Sequence, residues 1–381
     1  LLLCFPLVLA PPLSHPLARY NTGMVPTTIY LDHNSTTPLL PQARDALFAA
    51  LDAFGNPASS HALGRQARRA LEDAREEVAH LLHAQPDEVL FTSGATEANN
   101  LALHGVTGPI ALSPVEHPSV TGPLQNADTR SLAVQPDGVV PLTDLPAECT
   151  LVVCQLANHE TGALQPVRPV GKPWHCDAVQ AVGKIAVDFA ALGVTTLALS
   201  AHKFHGPKGV GALLVRRGHA LVPLFHGGHQ QQGRRPGTES PALAVGLAVA
   251  LRHALREREA RTAHLRHLRQ RLLEPLLEMR AILNGPENGL PHVMNVSFEG
   301  LKADALLIGL DLAGVSCSAG SACSSGSLLP SPVLQAMGLA EGRLRSAIRL
   351  SMGFGQSVEE IEEAVRRIFK VVQRLRQDGR G

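Results

Sequence analysis

The chain has 381 residues, of which 45% are hydrophobic and 18% charged, with a formal net charge of +1. That length suits two domains or one large domain with a smaller appendage, and the composition is that of an ordinary globular protein. The near-neutral balance gives no electrostatic ground for a nucleic-acid partner or a membrane surface.

Residues 1–23 open on LLLCFPLVLA, an apolar run too short to span a bilayer and lacking a basic flank. They are expected to be a leader or upstream extension without fixed structure. Thr28 to Asp32 reads as a short strand, Gln42 to Phe54 as a helix, and Gly64 to His83 as a second helix with Ala67, Leu71, Ala74, Val78 and Leu81 on one face. Val89 to Thr92 is a strand running into Gly94-Ala95-Thr96 and a helix. Open N–H groups at such a helix start, with a glycine allowing close approach, suit a phosphate.

Short apolar runs then alternate with turns at Ile110 to Leu112, Ser131 to Val134 and Leu151 to Leu156, and Trp174 to Asp177 is another strand. This alternation predicts an α/β fold with a mainly parallel sheet, in which Asp177 sits at a strand's carboxyl end, where ligands bind. Thr195 to Ser200 is a buried strand that delivers Lys203 before the Gly206-Pro207 turn. A lysine at such a rim is partly desolvated, which favours a nucleophilic amine. Only Lys172, Lys184, Lys208, Lys302 and Lys370 compete with it.

The tract Pro241 to Met279 reads as one long helix, solvated and joining two domains. The remainder reads as a smaller α+β domain: a strand at Val293 to Phe298, a helix at Ala303 to Leu312, a strand at Arg345 to Met352, and a helix from Val358 to about Arg376. Ser357 and Glu360 form a capping box that starts the last. The expected division is 36–262 as a large domain, with 24–35 and 263–381 as the small one. Six scattered cysteines, Cys4, Cys149, Cys154, Cys176, Cys317 and Cys323, lack zinc-site or disulfide spacing and predict reduced thiols in the cytoplasm, with no metal.

These pieces fit one cofactor. Pyridoxal 5'-phosphate needs a lysine for its aldehyde, a carboxylate for its ring nitrogen, a phosphate cradle and a flat partner for its ring. Lys203, Asp177, the Gly94-Ala95-Thr96 turn and His117 match those needs, with Ser200 and His202 as further phosphate donors.

In order along the chain, YLDHNSTTP (30–38), FTSGATEANN (91–100), EHPSV (116–120), ANHETG (157–162), HCDAVQAVGK (175–184), SAHKFHGPKGVGAL (200–213), GRRPGTE (233–239) and SAGSACSSG (318–326) resemble the NifS-type (group I) cysteine desulfurases, of the class V aminotransferase fold family. The resemblance implies that fold, with a large domain binding pyridoxal 5'-phosphate and a small domain carrying a cysteine loop. It implies Lys203 as the Schiff-base lysine, Asp177 as the ring-nitrogen partner and His117 as the ring-stacking, proton-handling imidazole. Ala95, Thr96, Ser200 and His202 are implied as phosphate ligands and Gln180 as the partner of the phenolic oxygen. Arg349, Asn158 and Asn34 are implied for the substrate L-cysteine. Thr238 is implied to reach the phosphate of a neighbouring subunit in a homodimer.

Cys323, in a run of small residues, is implied as the persulfide-forming nucleophile that passes sulfur to an acceptor protein, an iron–sulfur scaffold or a tRNA-thiolation enzyme. The chain departs from the family pattern at His159, where an asparagine contacts cofactor and substrate, and in a short Gly162 to His175 connection. The rival readings are a selenocysteine lyase and a non-catalytic scaffold of the same fold.

Overall fold

The structure is a computed structural model describing residues 28–320 and 330–379. The 1–23 leader and Cys323 lie outside the described residues. In chain order the strands are β1 (Ile29–Tyr30), β2 (Val89–Thr92), β3 (Ile110–Leu112), β4 (Thr129–Ser131), β5 (Leu151–Val153), β6 (Trp174–Asp177), β7 (Thr196–Ser200), β8 (Gly211–Val215), β9 (Ile282–Leu283), β10 (Val293–Ser297), β11 (Val315–Ser316) and β12 (Ala347–Ser351). The helices are α1 (Pro41–Leu51), α2 (Ala62–Leu81), α3 (Ala95–Leu103), α4 (Pro118–Thr121), α5 (Phe189–Leu192), α6 (Pro241–Arg256), α7 (Arg258–Glu278), α8 (Ala303–Leu312), α9 (Pro332–Ala336), α10 (Glu341–Ser346) and α11 (Val358–Gln377).

Seven strands form one sheet in the order β2-β8-β7-β6-β5-β3-β4. The run from β7 to β4 is parallel, and β8 lies antiparallel between β7 and β2. Strands β5 to β8 are buried throughout, as continuous apolar runs in a doubly covered sheet must be. The apolar face of α2 packs inward through Ala67, Leu71, Ala74 and Val78, and the buried side of α6 lies against it. A second sheet, β12-β10-β9, is antiparallel and packs with α7, α8 and α11 around Leu268, Phe298, Leu310 and Ile368. Strand β1 pairs with β11 beside it.

Two expectations change. The tract from Pro241 is two helices that meet at Glu257, and neither is merely solvated: α6 buries Ala244, Leu247 and Leu251, and α7 buries Leu265, Leu268 and Leu272. Most of the arginines and glutamates of α7 occupy its remaining faces and masked that apolar side, while Arg269 is buried with it and donates to the Val293 carbonyl. The run expected at Ser131 to Val134 pairs two residues earlier, as β4, because its register is set by Ile110↔Thr129. The final helix keeps its capping box, with the Ser357 hydroxyl accepting from the Glu360 N–H at 3.2 Å. No helix among the described residues is long and apolar enough to cross a membrane.

Candidate active site

A cavity of about 840 Å³ opens at the carboxyl ends of β2, β5, β6 and β7, and Lys203, Asp177, His117, Gln180 and Arg349 line it. Every parallel strand ends facing the same side, so residues distant in sequence converge there.

The end of the cavity at the start of α3 follows from local backbone. Gly94 adopts φ +157°, a conformation open to glycine alone, and turns β2 sharply into α3. The first helical bond of α3 runs from the Ala98 N–H to the Gly94 carbonyl, so the N–H groups of the preceding turn face outward for a ligand. Ala95, Thr96, Ser200 and His202 line the same end. Burial, with Lys203 and Lys208 nearby, pulls the His202 imidazole down to about 4, and its Nδ1 lies 3.1 Å from the Thr36 hydroxyl. Backbone N–H groups, a hydroxyl and nearby lysines make a donor set that fits a phosphate.

Lys203 follows β7 in a single 3-10 turn. Its amine donates to the carbonyls of Asn34 (2.7 Å) and Ser35 (2.9 Å). The Gln180 amide also donates to Asn34 O at 3.1 Å, and the Lys184 amine donates to Gln180 Oε1 at 2.9 Å. Burial, with the charge of Lys203 adding, lowers Lys184 to about 7. Asp177, the last residue of β6, accepts from the Val179 N–H at 2.9 Å and from Asn99 Nδ2 at 2.8 Å.

Arg349 sits mid-strand in β12 with its guanidinium 4% exposed. It donates to Asp32 Oδ1 (2.9 Å), the Ser35 hydroxyl (2.7 Å) and the His159 carbonyl (3.0 Å), leaving buried Nε without a partner. The Asn34 amide donates to the same His159 carbonyl at 2.7 Å and accepts from His292 Nε2 at 2.7 Å. A rigid, partly unsatisfied fork at a cavity wall suits a carboxylate.

The imidazoles of His117 and His159 meet edge to face with centroids 5.2 Å apart. Burial lowers both; Lys203 and Arg349 add to it, while Asp177 opposes it at His117. Two buried acids stand beside them. Burial raises Glu116 to about 8, and raises Glu160 to about 7 against the hydrogen bond it accepts from Ser331 at 2.7 Å.

Two predicted residues stand elsewhere. Asn158 is fully buried and does not line the cavity: its Oδ1 accepts from the Glu160 and Thr161 N–H groups and its Nδ2 donates to Val115 O, so it shapes the turn that presents His159. Thr238 is exposed and outside the cavity of this chain. Sequence reasoning missed Asn99, Ser119 and Glu116 as site residues. All three fall inside the motifs FTSGATEANN and EHPSV, yet buried polar residues that bridge elements leave no periodic signal.

Residues 29–364 match the Aminotransferase class-V family. The chain belongs to that family. A cysteine desulfurase IscS of Dictyoglomus turgidum is 38% identical over 376 residues, covering 91% of this chain and 95% of the relative. An IscS-like cysteine desulfurase of Mycobacterium tuberculosis is 39% identical over 91% of this chain and 97% of its own length. A solved NifS-like protein superposes with a TM-score of 0.85 at 32% identity, covering 91% of this chain and all of the other (100%). Both sequence relatives are named cysteine desulfurases, and this chain is a cysteine desulfurase of the NifS/IscS type.

Proposed function

We propose that the chain binds pyridoxal 5'-phosphate in this cavity and converts L-cysteine to L-alanine, placing the sulfur on Cys323. The observation that carries the reading is the convergence of one lysine amine, one strand-end carboxylate and one open helix start on a single cavity. Lys203 would hold the cofactor's aldehyde carbon, Asp177 its ring nitrogen, and Gln180 its phenolic oxygen. Ala95, Thr96, Ser200 and His202 would hold its phosphate, with His117 and His159 available to its ring. When bound, the cofactor supplies an electron sink for the substrate.

Arg349 receives the substrate carboxylate, with Asn34 beside it. With the cofactor in place, the Lys203 amine would take the proton from the substrate Cα. The Cys323 thiolate forms an S–S bond as the substrate's C–S bond breaks; the electron pair stays with the carbon fragment, which is protonated and leaves as alanine. In the same reading the protein is a cytoplasmic homodimer whose Thr238 reaches the partner's phosphate site. An iron–sulfur scaffold or a tRNA-thiolation enzyme then takes the sulfur.

Mass spectrometry of the protein after incubation with L-cysteine tests this. A gain of one sulfur on Cys323, abolished in Cys323→Ser while the cofactor's visible absorbance persists, is the expected result. Undiminished desulfuration by Cys323→Ser refutes the nucleophile, and turnover of L-selenocysteine with none of L-cysteine favours the lyase.

A further inference from the structure

Behind the cavity wall runs a chain of buried hydrogen bonds that the proposed chemistry does not use. Asn99 on α3 is fully buried, with Nδ2 2.8 Å from Asp177 Oδ2 and 2.9 Å from the Ser119 hydroxyl, and Oδ1 3.1 Å from His175 Nε2. His175 Nδ1 in turn lies 2.9 Å from the Thr196 hydroxyl. On the other branch, Ser119 Oγ lies 2.8 Å from His117 Nδ1, and the Ser119 N–H donates to that same nitrogen at 3.1 Å.

One group sets the direction of every bond. A carboxylate can only accept, so Asp177 forces the Asn99 amide to turn its NH2 inward and its oxygen toward His175. His175 must then carry its proton on Nε2 and accept from Thr196 at Nδ1. The second amide hydrogen of Asn99 goes to Ser119 Oγ, which leaves the Ser119 hydroxyl hydrogen for His117. His117 Nδ1 thus faces two donors, the hydroxyl and the fixed N–H of one residue. A ring nitrogen so placed accepts, and the proton resides on the other.

From this geometry we infer that Asn99 is a positioning residue which, through Ser119, fixes His117 as the neutral Nε2–H tautomer, making His117 a hydrogen-bond donor rather than a base. Asn99 thereby ties two functions together, since the same amide nitrogen orients Asp177. The groups facing His117 agree with a neutral ring: burial, Lys203 and Arg349 disfavour a positive charge on it, His159 meets it edge to face as a second buried imidazole, and Asp177, the opposing charge, is already engaged by Asn99. Glu116, adjacent in the chain, is held toward its protonated form by burial. The division of labour rests on the proposed function, in which Lys203 is the base.

The test is nitrogen-15 NMR of the full chain labelled at histidine, before and after adding pyridoxal 5'-phosphate, with the His117 signals identified by their loss in His117→Gln. At pH 7 the expected pattern is a protonated Nε2 and an unprotonated Nδ1. In Asn99→Ala the Ser119 hydroxyl is released to turn while the Ser119 N–H still donates to Nδ1, so Nε2–H stays the major tautomer, but the small Nδ1–H share rises severalfold and the His117 titration moves to higher pH. An imidazolium or Nδ1–H ring in the parent overturns the inference, as does an Asn99→Ala spectrum and titration identical to the parent's. Should Asn99→Ala not fold, Ser119→Ala removes the same hydroxyl from the surface of the network and must raise the His117 titration, an unchanged one refuting the link. If no visible band forms on adding the cofactor, the proposed function fails while the tautomer still stands or falls on its own signals.

Discussion

Replacing Glu116 with glutamine should stabilise the protein, and more so as pH rises. The carboxyl is 5% exposed; its Oε1 accepts from the Gln155 N–H at 2.7 Å and its Oε2 has no partner. Burial raises it from 4.5 to about 8, with the Gln155 hydrogen bond opposing and Asp177 adding. Between those two values the folded chain holds a proton that the unfolded chain has lost, so stability falls with rising pH by up to about 1.4 kcal/mol per unit. The full window sets a ceiling of about 5 kcal/mol, and structural relaxation and water entry around a buried ion reduce this to about 2–3 kcal/mol. Glutamine keeps an oxygen for the Gln155 N–H and cannot ionise. Urea unfolding of cofactor-free parent and Glu116→Gln at pH 5 and pH 8.5, at one protein concentration, measures the difference. A variant advantage that stays constant or shrinks with rising pH refutes the reasoning.

Arg349→Lys keeps the charge but loses the fork, and one charge-assisted hydrogen bond of about 1.5–3 kcal/mol corresponds to a roughly 10- to 150-fold fall in kcat/KM for L-cysteine; steady-state alanine formation reads it, and a change under threefold argues that the carboxylate binds elsewhere. Gly94→Ala forces a side chain onto φ +157°, costing about 1–3 kcal/mol, and should weaken cofactor binding in equilibrium dialysis more than it lowers the unfolding midpoint. Lys203→Ala should abolish the visible band of the bound cofactor, and an unchanged spectrum moves the attachment to another amine.

The strands that end at the cavity were legible because their cues are local: an apolar run, then a polar residue, then a glycine or proline turn, as at Leu197 to Gly206. Asp177 and Lys203 could be placed side by side for that reason, and β6 and β7 are indeed neighbours. The antiparallel insertion of β8 carries no such cue, since Gly211–Val215 has the composition of any buried strand. Asn158 shows the opposite limit. The resemblance implies a substrate contact, but its Oδ1 is spent on the turn around it and its Nδ2 donates to the Val115 carbonyl. The hydrogen bonds through Asn99 join α3 to β6 and to the start of α4, and only the folded sheet brings those together.

The site also draws on both cores, and the turn after β1 is where they meet. Ser35 accepts from the Lys203 amine with its carbonyl at 2.9 Å and from Arg349 with its hydroxyl at 2.7 Å. Lys203 is carried by the seven-stranded sheet and Arg349 by the three-stranded one. In the proposed function the substrate carboxylate meets Arg349 while Lys203 takes the proton from the neighbouring Cα, so the two groups must be held at a fixed spacing. One residue bonded to both supplies that spacing, and the strand pairing of β1 with β11 anchors the turn that carries it. In the proposed function Lys203 engages the cofactor and the Asn34 and Ser35 carbonyls lose a donor, while Arg349 stays held by Asp32, the Ser35 hydroxyl and the His159 carbonyl.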